Sequence, residues 1–340
     1  MQPYKRGGRF YNNKHDSILR RLKNFSWSFF YIRGHHFLSL LKKQRALANT
    51  CSLPHSCTSK TQTHSLELLP KAGPELVITW LGHSTFLIQV AGINIVTDPI
   101  FFGKFPILSR KIPMPILPAK LPPIDVVLVS HNHKDHLDIQ SLQILSQHKP
   151  LFLVPAGNGR WLKRRGYKRV VEKTWWESER IDLSVGDQSI TITFLPAIHW
   201  TSRGLLDINT TLWGSWLIEA SGRKIYFAGD TAYGDHFSMI AKRYGHIDVA
   251  LMPIGPNEPR RYVLDSHINA DEAVRAFIDL RARHFIPMHW GTFARMGAEQ
   301  HSNPMSLLKL AWDKHSHDLD GAKLHIVACG EARNFGHLLC

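Results

Sequence analysis

Cysteine is scarce in this chain. Cys51, Cys57, Cys329 and Cys340 are the only four in 340 residues, and no two form a CxxC pair. A disulfide-built scaffold is excluded, and a reducing compartment is the natural setting. Long apolar runs are missing as well. The longest uncharged apolar stretch near the N-terminus, "NFSWSFFYI" (24–32), stops at Arg33. It is far shorter than the roughly 20 residues a spanning helix needs. No small-residue cleavage site follows it, so a signal peptide is not expected. There is no G-x-S-x-G elbow and no P-loop, so nothing points to a serine nucleophile or a phosphate cradle. Internal repeats and low-complexity tracts are also absent.

What is present is a globular composition with an uneven charge. The chain is 44% hydrophobic and 20% charged, with a net charge of +15. Residues 1–50 hold 11 Lys/Arg against one acid, Asp16, while the remaining residues hold 31 against 26. The basic excess therefore belongs to the N-terminal segment, where it alternates with aromatics. Residues 51–74 are rich in Ser, Thr and His and carry Pro54, Pro70 and Pro74, which reads as a linker. The expected division is an arm with linker over 1–73 and a single domain over 74–340.

From Leu76 onward the texture is strand-like. "ELVITWLG", "STFLIQVAGINIVTDP", "IDVVLVSH", "LFLVPA", "SITITFLPAIHW", "TLWGSWLIEASGRKIYFAGD" and "IDVALMPIG" are short, rich in β-branched and aromatic residues, and bounded by Gly, Pro or Asp. "AGIN" and "SGRK" read as hairpin turns. Helical patterns lie between them: "DIQSLQILSQH", "NGRWLKRRGY", "HFSMIAKRYG", "ADEAVRAFIDLR", with Asp271 as its expected cap, and "NPMSLLKLAWDKHSH". Paired strands followed by strand–helix units predict a layered α/β domain with mixed sheets.

The chemistry concentrates in "LVSHNHKDHLD" (128–138). His131 and His133 alternate, so they can share one metal. Asp135 and His136 lie one turn further on and can face a second. Imidazole with carboxylate is the ligand set of zinc and similar metals. Three more residues end strand-like runs: His199 in "FLPAIH", Asp230 in "YFAGD" and His289 in "FIPMH". A lone histidine of this kind is usually a satisfied core residue. Three such residues, all at strand ends, argue for a shared site.

This order of residues resembles that of the metallo-β-lactamase-like hydrolases. The resemblance implies an αββα sandwich, four layers deep, with a dinuclear metal site at one edge. It implies that His131, His133 and His199 bind one zinc ion, that Asp135, His136 and His289 bind another, and that Asp230 bridges them. Two ions roughly 3.5–4 Å apart can share and activate one water, so hydrolysis is the expected reaction. Asp98 in "TDPIF" and His83 in "WLGHST" are expected to support the ligands. The strings "LWGSW", "NEPR" and "HWGTF" are narrower. They are similar to the phospholipase D family that hydrolyses N-acylphosphatidylethanolamine to N-acylethanolamine and phosphatidic acid. That similarity implies a phospholipid substrate and a homodimer. It makes Asp135, Asp230 and His267 the candidate catalytic residues. Lys134, His267 and Arg260 become candidate substrate contacts, with Lys134 standing where the animal enzymes carry an aromatic.

Fold alone does not set the substrate. A lactonase or other small-ester hydrolase is one alternative. A tRNA-processing nuclease is another, although no RNA-gripping insertion separates the motifs. For the arm, Trp27, Phe29, Phe30, Tyr31 and Phe37 beside Arg20, Arg21, Lys23, Lys42 and Lys43 suit a membrane interface, a nucleic acid or a terminal helix packed on the domain, and a phospholipid substrate favours the membrane. Nucleic acid is not expected as a partner. A cytoplasmic protein, peripheral on a membrane, is the expected setting.

Overall fold

The structure is a computed structural model describing residues 1–13, 16, 73, 75–103, 109–183, 189–204, 206–293 and 303–336. The basic–aromatic segment from Arg20 to Lys43 lies outside the described residues, as do Cys51, Cys57 and Cys340. The chain begins with a small antiparallel hairpin, β1 (Tyr4–Arg6) and β2 (Arg9–Tyr11). It then builds a first sheet from β3 (Val77–Gly82), β4 (Thr85–Val90), β5 (Ile93–Thr97), β6 (Val126–Leu128), β7 (Leu151–Pro155) and β8 (Val170–Lys173). A second sheet follows from β9 (Ser178–Asp182), β10 (Ser189–Leu195), β11 (Ser215–Ala220), β12 (Arg223–Phe227), β13 (Ile247–Pro253), β14 (Ala282–Met288) and β15 (Lys323–Leu324). Finally β16 (Ala332–Asn334) returns to pair with β3.

The two seven-stranded sheets share one pairing scheme. Along β16-β3-β4-β5 and along β9-β10-β11-β12 the neighbours are antiparallel. Along β5-β6-β7-β8 and along β12-β13-β14-β15 they are parallel. The two halves therefore repeat a topology that their sequences do not repeat. The matching hairpins turn at Ala91-Gly92 and Ser221-Gly222, all four with positive φ, as two-residue turns of this hand require.

Period-2 alternation explains the layering. Ile78, Trp80, Phe86, Ile88, Val126 and Leu128 join the core between the sheets, where they meet Phe194, Trp216 and Phe227. Their neighbours Leu81, Leu87, Val127 and Val129 face outward into a second core. There they meet Leu142 and Leu145 of α1 (Ile139–Leu145) and Leu162 of α2 (Gly159–Lys163). On the far side α3 (His236–Tyr244), the short α4 (Arg260–Val263), α5 (Ala270–Asp279) and α6 (Pro304–Lys314) follow, with α5 packed on β13 and β14. Helix, sheet, sheet, helix is the expected αββα sandwich. One expected cap moves: Asn269, not Asp271, caps α5, in a reciprocal box with Glu272. Asp271 instead pairs with Lys314 and His315 at the end of α6.

The N-terminal hairpin packs on this sandwich, although the sequence places it in the arm. Phe10 and Tyr11 are buried, the Phe10 amide donates to Asn209 O at 2.7 Å, and Trp176 Nε1 donates to Met1 O at 2.6 Å. Among the described residues, no helix is long and apolar enough to cross a membrane.

Candidate metal centre

The ligand-type residues gather where strands of both sheets end on one edge. The β3–β4 turn brings His83, the end of β5 brings Asp98, and the loop after β6 brings His131 to His136. From the second sheet, the loops after β10, β12 and β14 bring His199, Asp230 and His289. All seven sequence-predicted ligands converge. His131 Nε2 lies 2.9 Å from His133 Nδ1, which lies 3.3 Å from His199 Nε2. His83, Asp135, His136 and His289 form a second group of converging donors. Asp230 lies between the two. Its Oδ2 is 3.2 Å from His136 Nε2, 3.8 Å from His131 Nε2 and 3.9 Å from His199 Nε2, and its Oδ1 is 3.2 Å from His289 Nε2.

Hydrogen bonds behind the ligands fix which nitrogen faces the centre. His136 Nδ1–H donates to Asp98 Oδ2 at 2.7 Å, leaving Nε2 forward. Ser130 Oγ donates to the same carboxylate at 2.5 Å, so its lone pair accepts from His131 Nδ1–H at 2.8 Å. His199 Nδ1–H donates to Ser266 O at 2.8 Å. Three imidazoles are thereby held with Nε2 pointing inward. Asp98 thus reaches two of these histidines, one directly and one through Ser130, which the sequence reading missed.

His83 stands closer than a supporting residue. It is buried, its Nε2 is 3.3 Å from Asp135 Oδ2, and its ring centroid is 4.1 Å from that of His289. Both His83 and His289 adopt left-handed backbone, with φ of 55° and 60°. Such a conformation costs about 1–2 kcal/mol in a residue with a Cβ. It is held by the His289 amide donating to His83 O at 3.2 Å and by Trp80 Nε1 donating to the same oxygen at 2.9 Å.

The electrostatics fit bound cations. His83 Nε2, His136 Nε2, His267 Nδ1, His289 Nε2 and Asp230 Oδ1 are buried without a hydrogen-bond partner, and all face the centre. Buried polar atoms normally have partners, so a cluster of orphans marks a place for a ligand. Among the described residues, every ion pair of Asp98, Asp135 and Asp230 is with a histidine. Burial, and then the charge of His136, hold His131 well below its ordinary pKa, and burial also lowers His199, so both are neutral donors. Burial would lower His136 too, but the Asp230 and Asp135 carboxylates outweigh it and raise its pKa well above normal. The same carboxylates would favour any cation held at this place.

The candidate substrate residues fall in different places. His267 is half-buried over the centre, with Nδ1 3.7 Å from Asp230 Oδ2. Lys134 is exposed on the loop tip. Arg260 pairs with Glu272 and donates to His267 O at 2.7 Å, so its guanidinium braces the backbone beneath His267. Sequence reasoning missed Trp200, whose ring packs edge-on against His133 with centroids 4.6 Å apart. It also missed Arg203, which donates to Asn132 O and Leu137 O and so clamps the HxHxDH loop from outside. Nothing in the local sequence signals that clamp.

The sequence pattern described as "Beta-lactamase superfamily domain" matches residues 93–290, more than half of the chain and every ligand from His131 to His289. The chain belongs to the metallo-β-lactamase superfamily. Among characterised members it is 37% identical over 269 residues, 75% of each chain, to "N-acyl-phosphatidylethanolamine-hydrolyzing phospholipase D 1" of Caenorhabditis elegans. It is 30% identical to a "metal-dependent hydrolase" of Pyrococcus furiosus, covering 75% of this chain and 97% of that one. A solved metallo hydrolase from Ignicoccus hospitalis shares the fold, with a TM-score of 0.60 at 24% identity over 76% of this chain and 98% of that one. The superfamily member described here is accordingly a metal-dependent hydrolase with a His/Asp cluster able to bind metal.

In this superfamily member, the glycine before Asp230 is under steric demand. Gly229 has φ of 59°, and a Cβ there would sit 2.5 Å from Ser130 Cβ. Gly229→Ala should therefore push on the Ser130–Asp98 network and cost about 2 kcal/mol or more. A lower melting temperature together with weaker metal retention is the expected outcome. Wild-type values for both would show that the contact is not tight.

Proposed function

We propose that the protein is a phospholipase D-type phosphodiesterase that hydrolyses N-acylphosphatidylethanolamine to N-acylethanolamine and phosphatidic acid, with two zinc ions as cofactors. The observation that carries it is the convergence of the donors into two groups around one shared carboxylate, Asp230. His131, His133 and His199 would hold one ion, Asp135, His136 and His289 the other, and Asp230 would touch both. Bound there, the metals would supply an acidified water and neutralise charge on phosphoryl oxygens.

The chain's own groups have separate tasks in this reading. Ser130, Asp98 and Ser266 keep the ligand lone pairs turned inward. His267, neutral and with an unpartnered Nδ1, can take the proton that the attacking water sheds and pass it to the ethanolamine-side oxygen, as the water oxygen bonds to phosphorus and the P–O bond to ethanolamine breaks. Arg260 sets the height of His267 through its backbone oxygen. Two exposed leucines support an amphiphilic substrate. Leu264, three residues before His267, is 50% exposed, and Leu206, on the loop that Arg203 anchors to the HxHxDH segment, is 88% exposed. The likeness to the worm phospholipase points the same way. The basic–aromatic residues of the arm over 1–73 would add contacts to anionic lipid heads, and Lys134 at the rim would face the same surface.

The test is direct. Purified protein incubated with vesicles containing N-acylphosphatidylethanolamine should release phosphatidic acid and N-acylethanolamine in equal amounts by mass spectrometry. No lipid product, with turnover of a lactone or an RNA instead, would reassign the substrate.

A further inference from the structure

We propose that Asn12, immediately after the N-terminal hairpin, is a positioning residue for the proposed metal ligand His199. His199 lies in a loop after β10, where its backbone has no strand to pair with. The Asn12 carboxamide takes that strand's place. The His199 amide donates to Asn12 Oδ1 at 3.2 Å, and Asn12 Nδ2 donates to His199 O at 3.0 Å. This two-point pairing spans 187 residues of sequence.

The carboxamide is itself locked. It is only 7% exposed. Trp213 Nε1 donates to Oδ1 at 3.1 Å, and Nδ2 also donates to Asp16 Oδ2 at 3.0 Å. Those bonds define which end is oxygen and which is nitrogen. The strand before it is pinned by the Phe10 amide on Asn209 O, and by Arg9, which donates to Ile208 O and, at 3.0 Å, to Leu206 O. Asn209 performs the same service two residues along: its side chain accepts from the Thr201 amide at 3.1 Å. With Ser266 O on the ring and Asn12 on the backbone, His199 is fixed at both ends. Asn12 lies outside the part of the chain that matches the superfamily pattern, so this contact is contributed from beyond that pattern.

This assignment rests on the metal-centre reading, but its test needs no substrate, so a failed lipid assay would not touch it. Asn12→Ala is compared with wild type by competing bound cobalt(II) against a chelator and recording its visible absorption. Loss of a backing hydrogen bond typically weakens metal affinity ten- to a hundredfold. One of the two ions should weaken by about that factor, with an altered spectrum, while the other is unchanged. Asn12→Asp keeps the acceptor and loses the donor, and should show the same selective loss if Asn12→Ala does not fold. Trp176→Phe removes the hydrogen bond at the hairpin's far end, on Met1 O, and should bind both ions as wild type. Wild-type affinity and spectrum in both Asn12 variants would overturn the assignment. So would equal weakening of both ions, or an equal loss in Trp176→Phe.

Discussion

Asp230→Asn is expected to lower hydrolysis by a thousandfold or more, on the order of what other enzymes lose when a central catalytic group is removed, with the fold intact. The variant keeps the shape of the side chain and removes its charge. Among the described residues, Asp230 is the one carboxylate within 3.9 Å of all of His131, His136 and His199, and it also reaches His289 and His267. An amide there would turn an N–H toward lone pairs that now face an oxygen, so both donor groups lose their common partner. Metal analysis should show fewer than two ions per chain, while circular dichroism stays native because His136 retains Asp98 and Asp135. Full activity with normal metal content would sink the shared-carboxylate arrangement. Normal metal content without activity would place Asp230 in the reaction rather than in binding.

Stripping the metal with a chelator should abolish activity and lower the melting temperature. A ligand held at a thousand times its Kd stabilises by about 4 kcal/mol, and 1 kcal/mol shifts a domain of 150–250 residues by roughly 2–4 °C. A drop of about 10 °C per tightly held ion follows. The stripped protein should also lose stability in acid. Burial lowers His83 to about 3, and His133 and His267 to about 4, whereas the unfolded chain protonates them near 6.5. Between those values the unfolded state binds more protons, so stability falls as pH drops from about 6.5 toward 4. Thermal melts of stripped and zinc-loaded protein across that range check both parts. An unchanged melting temperature on stripping would mean that the cluster is satisfied without metal.

Much of this site was legible because its signals are local. HxHxDH occupies six consecutive positions, and His199, Asp230 and His289 each follow an apolar run that could only be a buried strand. The hairpin turns at Ala91 and Ser221 were equally readable from their glycines. What escaped depends on contacts between distant segments. Asn12 sits in a basic, aromatic stretch, and nothing near it announces a partner 187 residues away. Arg260 reads as a candidate substrate contact until Glu272 is seen to take it. The cap of α5 was misplaced because Asn269 and Asp271 are both good caps, and only the reciprocal bond with Glu272 separates them. The short strands β8, β9, β15 and β16 were missed because they lack apolar runs and are held by neighbours.

The repeated topology of the two sheets bears on what the metal centre does mechanically. The first sheet and its loops carry His131, His133, Asp135 and His136; the second carries His199, Asp230 and His289. The chain passes from one half to the other between Lys173 and Ser178, and back between Leu324 and Ala332. Each proposed ion would draw ligands from both halves, so it would act as a rivet across the seam. Its loss would slacken that edge of the seam while the core between the sheets still holds the halves together.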